Sequence, residues 1–493
     1  MNPVLALLNL LTNSELRRFS KFLNSPFFGQ TSFYIELFAV LRIYCPRCEE
    51  DKILSSKEYA NFLKRNNCKS VTPNKWTGMH KRLKSFIAHE QLKENPYLTL
   101  TLHSDFFAKH SDYDMFSDSL EIRRTLLSNS SPQIAGQYYK QHSIEEEYYY
   151  HPDTEKSKVN ATNIRELERS LDDYYYLQKL RIYCEKLIRQ KLTTEQYAFH
   201  DFSHITNHAK VHLTPRSPLA EIYLRYAEFL QSEFDINEYS RLINLVSAQA
   251  PTIAKSELRS IFILLINLTN RARHKSLLTE EHIYALYEKM IEQDVLAIYG
   301  RITPVSFYNV VWLKAELLKF GAAYKFITDY KKYLAPQYQE LVKAAEATVK
   351  FKEKKYQETL QILTDTTFRH PYFLEIVKLL VIKSSFEADI IAGSLRKREK
   401  TYEMYLMSFR KFLSPARSPH LSKTKRKEYQ NFLTFFKKVK DIYGDSFAEM
   451  QVIVEFEEKM KRTERIFGRK WLTEKITDYK RLQKEKSGSN VII

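Results

Sequence analysis

The sequence predicts an all-α protein of stacked antiparallel helix pairs with a smaller amino-terminal helical module, and three observations predict it. Only nine of the 493 residues are glycine, against ~7% in an average chain, and hairpins and phosphate loops draw on glycine for positive φ. Apolar side chains recur at i, i+3, i+4 and i+7 through most of the chain, the spacing of one helix face. Prolines fall between these segments rather than inside them, where each would cost ~3 kcal/mol. With 44% hydrophobic and 14% aromatic residues, 33 Tyr and 31 Phe among them, there is ample apolar surface to bury. The length calls for several cores or an elongated array.

Residues 1–95 read as the helical module. Leu16, Phe19, Ser20 and Leu23 share one side of a helix that opens at Ser14-Glu15-Leu16 and ends before Pro26. Phe33, Leu37, Val40, Leu41 and Tyr44 repeat at helical spacing up to Pro46. Ser56 to Lys64 continues the pattern, and Trp76, Met79, Leu83, Phe86 and Ile87 form a stripe between Pro73 and His89. Residues 96–132 mix polar residues with short apolar pairs and read as a connector. Residues 133–218 hold a long helix pair, Gln133 to Tyr150 and Ile164 to Gln190, parted by His151-Pro152-Asp153-Thr154, and then a histidine-rich helix.

Residues 219–413 are the regular part. Leu219, Ile222, Tyr223, Tyr226, Ala227 and Leu230 make one wide stripe, answered by Tyr239, Leu242, Ile243 and Val246. After Pro251 come Ile261, Phe262, Leu265 and Leu268, answered by Ile283, Leu286, Tyr287, Met290 and Ile291; after Pro304, Phe307, Val311, Ala315 and Leu318 open another pair. Lys319-Phe320 and Tyr324 recur as Lys350-Phe351 and Tyr356, a shift of 31 to 32 residues, near the ~34-residue period of a tetratricopeptide repeat.

The stretch Glu340 to Phe373 resembles such a repeat. Ala347 matches the small residue where two helices touch, Tyr356 the start of the second helix, Leu363 its apolar contact and Pro371 the closing proline. Lys343, Glu346, Lys350 and Thr359 depart from the motif's Trp, Leu, Tyr and Ala. The resemblance, which extends to uncharacterised long bacterial proteins of this type, implies a degenerate helical solenoid whose groove holds a protein or peptide.

Residues 414–486 read as basic carboxy-terminal helices, with Phe432, Phe435, Phe436, Val439, Ile442 and Tyr443 on one face and Trp471, Leu472, Ile476 and Tyr479 on a capping helix. Residues 487–493 read as a disordered tail. From Arg396 onward 25 basic residues face 13 acidic ones, so 12 of the chain's net 18 positive charges lie there. Such a surface suits acidic partners.

Four patterns are candidates for chemistry. His200, His204, His208 and His212 stand four residues apart, and an i, i+4 pair of imidazoles on a helix can hold a divalent metal. Ala198, Phe202, Ile205 and Ala209 form the opposite stripe, which turns the histidines toward solvent or a partner. Cys45-Pro46-Arg47-Cys48 with Cys68 supplies part of a zinc set and lacks its second half; a helix-end turn with incidental cysteines is the plainer expectation. Arg396, Lys397, Arg398, Lys423, Lys425, Arg426 and Lys427, with Lys437, Lys438 and Lys440 beyond, are candidate partner or phosphate contacts. The amino-terminal helices offer a weaker match to a helix-turn-helix.

No phosphate loop, GxSxG, dinucleotide fingerprint or kinase set is present in the sequence. No apolar run approaches the ~20 residues that cross a bilayer, and Met1 to Leu11 lacks the basic leader and cleavage site of a signal peptide. Four cysteines outline no disulfide framework. The expectation is a reduced, cytoplasmic, non-enzymatic scaffold without cofactor or membrane insertion, binding a protein or peptide. The alternative is a nucleic-acid-binding or regulatory protein acting through the basic carboxy-terminal region or the amino-terminal helices.

Overall fold

The computed structural model describes residues 2–28, 31–45, 48–110, 112–129, 135–154, 163–192, 195–419, 421–444 and 450–488. The chain is all-α, with 24 α-helices and no β-strand among the described residues. It divides into two compact units, Met1–Tyr176 and Leu177–Ile493. The expected helix start at Gln133, the interior of the CxxC motif at Pro46-Arg47, and residues 489–493 of the expected tail lie outside the described residues.

The first unit begins with α1 (Pro3–Leu8), α2 (Asn13–Leu23), α3 (Ser32–Tyr44), α4 (Glu50–Leu54), α5 (Lys57–Arg65) and α6 (Pro73–Glu94) around one apolar core. Thr12 and Glu15 close a reciprocal capping box at the start of α2, satisfying two backbone donors that the helix leaves free. Leu8, Phe19, Leu37, Leu41, Phe62, Met79 and Leu83 are fully buried, and the Phe19 and Phe38 rings meet edge-on at 4.8 Å. Gly78 lets α6 lie against Tyr34, because a Cβ there would fall 1.9 Å from the Tyr34 hydroxyl and the ring would have to shift.

The stretch expected to be a connector instead folds into α7 (Pro96–Lys109) and α8 (Tyr113–Ser128), which pack on each other and, through α8, on α9 (Ala135–Tyr149). Their apolar core is small, with Phe116, Leu120 and Ile144 buried. Polar contacts do much of the closing. Arg123, 1% exposed, holds Glu147 by a two-pronged contact whose longer arm is 3.0 Å, and reaches the Tyr97 hydroxyl at 3.2 Å. Arg124 makes a matching fork to Glu145 at 3.1 and 3.0 Å. Glu145 and Glu147 of the acidic run thus serve as the α9 half of a charge seam, while Glu146 between them is exposed. Helix α10 (Ile164–Leu192) follows.

The second unit contains α11 (Phe202–His208), continued by a π turn over Ala209–Leu213, then α12 (Pro218–Gln231), α13 (Ile236–Gln249), α14 (Lys255–His274), α15 (Glu280–Glu292), α16 (Pro304–Glu316), α17 (Phe320–Tyr330), α18 (Glu340–Lys352), α19 (Tyr356–Asp365) and α20 (Pro371–Ile391). Neighbours in sequence pack as antiparallel pairs, and α16, α18 and α20 also stack directly on one another. A single amphipathic pair cannot cover its own stripe, whereas stacked pairs cover each other. Hence Phe307, Val311, Leu341, Ala344, Ala345 and Ala347 are all fully buried.

The likeness between Lys319-Phe320 and Lys350-Phe351 does not mark equivalent positions. Phe320 begins α17, whereas Lys350 and Phe351 lie in the last turn of α18. The equivalent turns are Leu318-Lys319 and Lys354-Lys355. Each opens with a residue at positive φ, 58° and 63°, and each folds its second amide back on the preceding helix, Lys319 to the Lys314 carbonyl at 2.8 Å and Lys355 to that of Lys350 at 3.0 Å.

The chain ends in α21 (Glu399–Phe412), α22 (Lys423–Gly444), α23 (Met450–Arg462) and α24 (Arg469–Gly488), so helix persists into the first residues of the expected tail. The start of α24 ties back to the array: Lys470 reaches Glu316 at 2.6 Å, and Trp471 and Lys475 share Glu387 at 2.9 and 3.0 Å. Burial works against the Glu316 carboxylate, but Lys352 and Lys470 together hold its carboxyl below the usual range. The Lys383 ammonium, half-buried, lies 5.1 Å from the Trp471 ring and 5.4 Å from Phe432.

Candidate partner-binding surface

The fold sorts the basic residues singled out in the sequence into two groups. Arg398 is spent on structure: with Ser394 and Tyr402 it satisfies Asp389, a carboxylate only 3% exposed, at 3.1, 2.8 and 2.7 Å. Burial first, then the adjacent Asp389, pushes the Tyr402 phenol well above its usual value. Lys425 pairs with buried Glu375 at 2.9 Å, and Arg426 donates to the Ser418 carbonyl at 2.7 Å. Lys440, 7% exposed, pairs with Glu399 at 3.1 Å. In contrast, Lys397, Lys423, Lys427, Lys437 and Lys438 are exposed and have no carboxylate partner among the described residues. For Arg396 only the backbone is described.

Helix α21 carries the most distinctive surface. Tyr402, Leu406, Phe409 and Phe412 are buried, a stripe at helical spacing that fixes which face turns inward. Glu399 in the first turn and Arg410 and Lys411 in the last complement the helix dipole. The opposite face bears Lys400, Glu403, Met404, Met407, Arg410 and Lys411 around a shallow pocket of about 600 Å³, three cations to one carboxylate. Met404 and Met407 are 59% and 66% exposed. The three cations have no carboxylate partner among the described residues. Two uncovered thioethers inside a cationic rim can take up an apolar side chain flanked by acidic ones.

The histidine ladder lies on an outer face. His200 sits ahead of α11 in a turn, while His204, His208 and His212 follow through α11 and the π turn. Ring centroids are 6.3 Å apart for His204 and His208 and 4.7 Å for His208 and His212, and Ile205, Ala209 and Leu213 opposite are buried. The cysteines differ from expectation. Cys45, at the end of α3, is joined to Cys48 by a disulfide, the two Cα atoms standing 5.0 Å apart, within disulfide reach. Cys68 stays free, its Sγ 3.8 Å from the Leu63 carbonyl. Among the described residues no three His, Cys, Asp or Glu side chains gather as they would around a metal ion.

A second pocket, about 460 Å³, follows the later turns of α10. Its cations are occupied: Arg181 pairs with buried Glu257 at 3.2 Å, Lys186 reaches the Ala198 carbonyl at 3.1 Å, and Arg189 lies 3.7 Å from Glu185. No described helix is long and apolar enough to cross a membrane. Comparison with protein-family models, curated proteins and solved structures finds no match to this chain.

Proposed function

We propose that this protein is a non-enzymatic interaction scaffold, a degenerate tetratricopeptide-like array that docks an acidic, amphipathic segment of a partner protein on the outer face of α21. The observation that carries this reading is the pair of exposed methionines, Met404 and Met407, with the unpaired cations Lys400, Arg410 and Lys411 outnumbering Glu403 around them. Fully covering a methionine side chain is worth ~1.5–3 kcal/mol, whereas rim charges chiefly set approach and partner choice. A ligand made only of phosphates would leave both thioethers in water, which favours protein over nucleic acid.

The test uses the full chain with a labelled helical peptide that alternates Leu and Glu on one face, a scrambled peptide of equal composition, and duplex DNA. The ordered peptide binds, Met404→Gln/Met407→Gln weakens it about tenfold or more, equivalent to ~1.4 kcal/mol, and Lys400→Gln/Arg410→Gln/Lys411→Gln mainly slows association. Binding to DNA alone, with a steep salt dependence and no response to the methionine changes, overturns the reading and supports nucleic-acid binding instead.

A further inference from the structure

The start of α14, the α15–α16 connection and the end of α17 meet around a pocket of about 710 Å³. Lys255 comes from the first, Asp294 and Tyr299 from the second, and Asp329, Tyr330 and Tyr333 from the third. The α15–α16 connection narrows to a two-residue turn, Tyr299-Gly300, closed by reciprocal hydrogen bonds of 3.0 Å between Ile298 and Arg301. Both turn residues lie at positive φ, 53° and 67°. That geometry is ordinarily filled by Asn-Gly or Asp-Gly, and a side chain as large as tyrosine is disfavoured there.

The fold draws nothing from the Tyr299 ring in return. It is 91% exposed and makes no hydrogen bond, ion pair or ring contact among the described residues. A strained backbone that holds an idle aromatic out in water suits a ring used by something outside the chain. Inside the pocket, Tyr330 and Tyr333 stand edge to face at 5.7 Å. Burial first, then Asp294, Tyr333, Asp329 and Glu288, holds the Tyr330 phenol above its usual value, and the lining sets the carboxylates Asp294 and Asp329 against the ammoniums of Lys255 and Lys332. Its rings already tolerate a cation, since the Lys332 ammonium lies 5.0 Å from the Tyr333 centroid. Both carboxylates already hold a lysine, Asp294 with Lys255 at 2.5 Å (61% and 79% exposed for Lys255 and Asp294) and Asp329 with Lys325 at 3.4 Å (81% and 50% exposed for Lys325 and Asp329), so both pairs are weak and displaceable.

We propose that this pocket binds the guanidinium of an arginine side chain on a partner protein, stacked between Tyr299 and the Tyr330 and Tyr333 rings and paired with Asp294 and Asp329. A planar guanidinium stacks on aromatic faces and forks onto carboxylates, which a spherical ammonium does less well. A nucleotide would stack equally, but its phosphate would meet the two carboxylates. This site is independent of α21.

The test is fluorescence anisotropy of the full chain at low salt with a labelled Gly-Arg-Gly-Arg-Gly peptide, the same peptide with citrulline for arginine, and a short dA oligonucleotide. The arginine peptide binds about tenfold or more tighter than the citrulline peptide. Tyr299→Asn removes that preference while the melting temperature stays level or rises, because asparagine accepts positive φ more readily; Asp294→Asn weakens the arginine peptide in the same direction. Equal binding of the two peptides, tighter binding of the oligonucleotide, or wild-type binding by Tyr299→Asn overturns the proposal. A melting temperature several degrees lower in Tyr299→Asn also overturns it, since the ring would then serve the fold.

Discussion

Helices α7–α9 and helices α14–α20 are both layers of antiparallel helices, yet they are closed by opposite means. In α7–α9 only Phe116, Leu120 and Ile144 form the buried apolar cluster, and Arg123 and Arg124 lock onto Glu147 and Glu145 across the seam. In α14–α20 continuous apolar stripes meet, with small residues such as Ala344, Ala345 and Ala347 fully buried where helices approach most closely. The difference teaches that helix pairing can be specified by charge placement or by shape. The two kinds fail differently: an ionic seam is vulnerable to the loss of one partner, a packed seam to a change of volume.

The largest expected effect therefore falls on the ionic seam. Arg123→Ala strands Glu147 and leaves the Tyr97 hydroxyl without its donor, and should cost ~3–5 kcal/mol in urea unfolding. Replacing both partners, Arg123→Met with Glu147→Leu, should recover most of that loss. A cost below ~1 kcal/mol for Arg123→Ala would mean that the seam is held by its three apolar residues after all. The packed seam is probed next by Ala347→Leu, which inserts a branched side chain where α18 meets α19, beside the Thr359 hydroxyl that lies 3.5 Å from the Ala347 carbonyl. The expected loss is ~1–3 kcal/mol from overpacking.

The smallest effect sharpens the comparison at its exception. Lys383 is a cation in the packed region that rests on rings rather than on a carboxylate, and burial among Trp471 and Phe432, with Lys352 nearby, brings its ammonium down to about 8. In the unfolded chain the same group holds its proton to about 10.5. Between those values the unfolded state binds more protons, so stability rises as pH climbs from about 8 to 10.5, while below 8 the cost of the buried charge is present in full. Lys383→Met should not lower stability at neutral pH, as relief from desolvation offsets the lost ring contact. It should also flatten the alkaline rise seen in thermal melts across that window.

How far the sequence speaks follows from the same contrast. The α12 stripe of Leu219, Ile222, Tyr223, Tyr226, Ala227 and Leu230 is buried throughout, because one-sided apolar periodicity and burial are the same fact seen twice. Helices α7 and α8 invert that relation. Leu98, Leu102, Phe106, Met115 and Ile122 face outward while Ser104, Ser119 and Arg123 are buried, so hydropathy turns away from the interface and the stretch resembles a connector. The repeat register failed for a different reason: Lys-Phe at the head of α17 and at the foot of α18 are alike as letters and unlike as positions.

At the candidate surface, the basic runs were legible as composition, but which cations are committed to buried carboxylates is a tertiary matter. Nothing local separates Arg398 from Lys397. Met404 and Met407 carry no local sign of exposure, and it is the buried stripe of α21 that places them on its other side. The Tyr299-Gly300 step carried a local signal, a residue before glycine shortly ahead of Pro304, and it points to a tight turn without saying that the ring is left idle.

The contact between Lys470 and Glu316 spans 154 positions of chain. During synthesis at ~5–20 residues per second, Glu316 leaves the ribosome roughly 8–30 s before its partner exists. Once α20 has been made, and until α24 follows, Glu387 lacks Trp471 and Lys475, Glu316 has Lys352 alone, and Phe386 lacks the Trp471 ring. The nascent array therefore passes through a long-lived stage with an open acidic and aromatic seam. That seam closes only when α24 arrives.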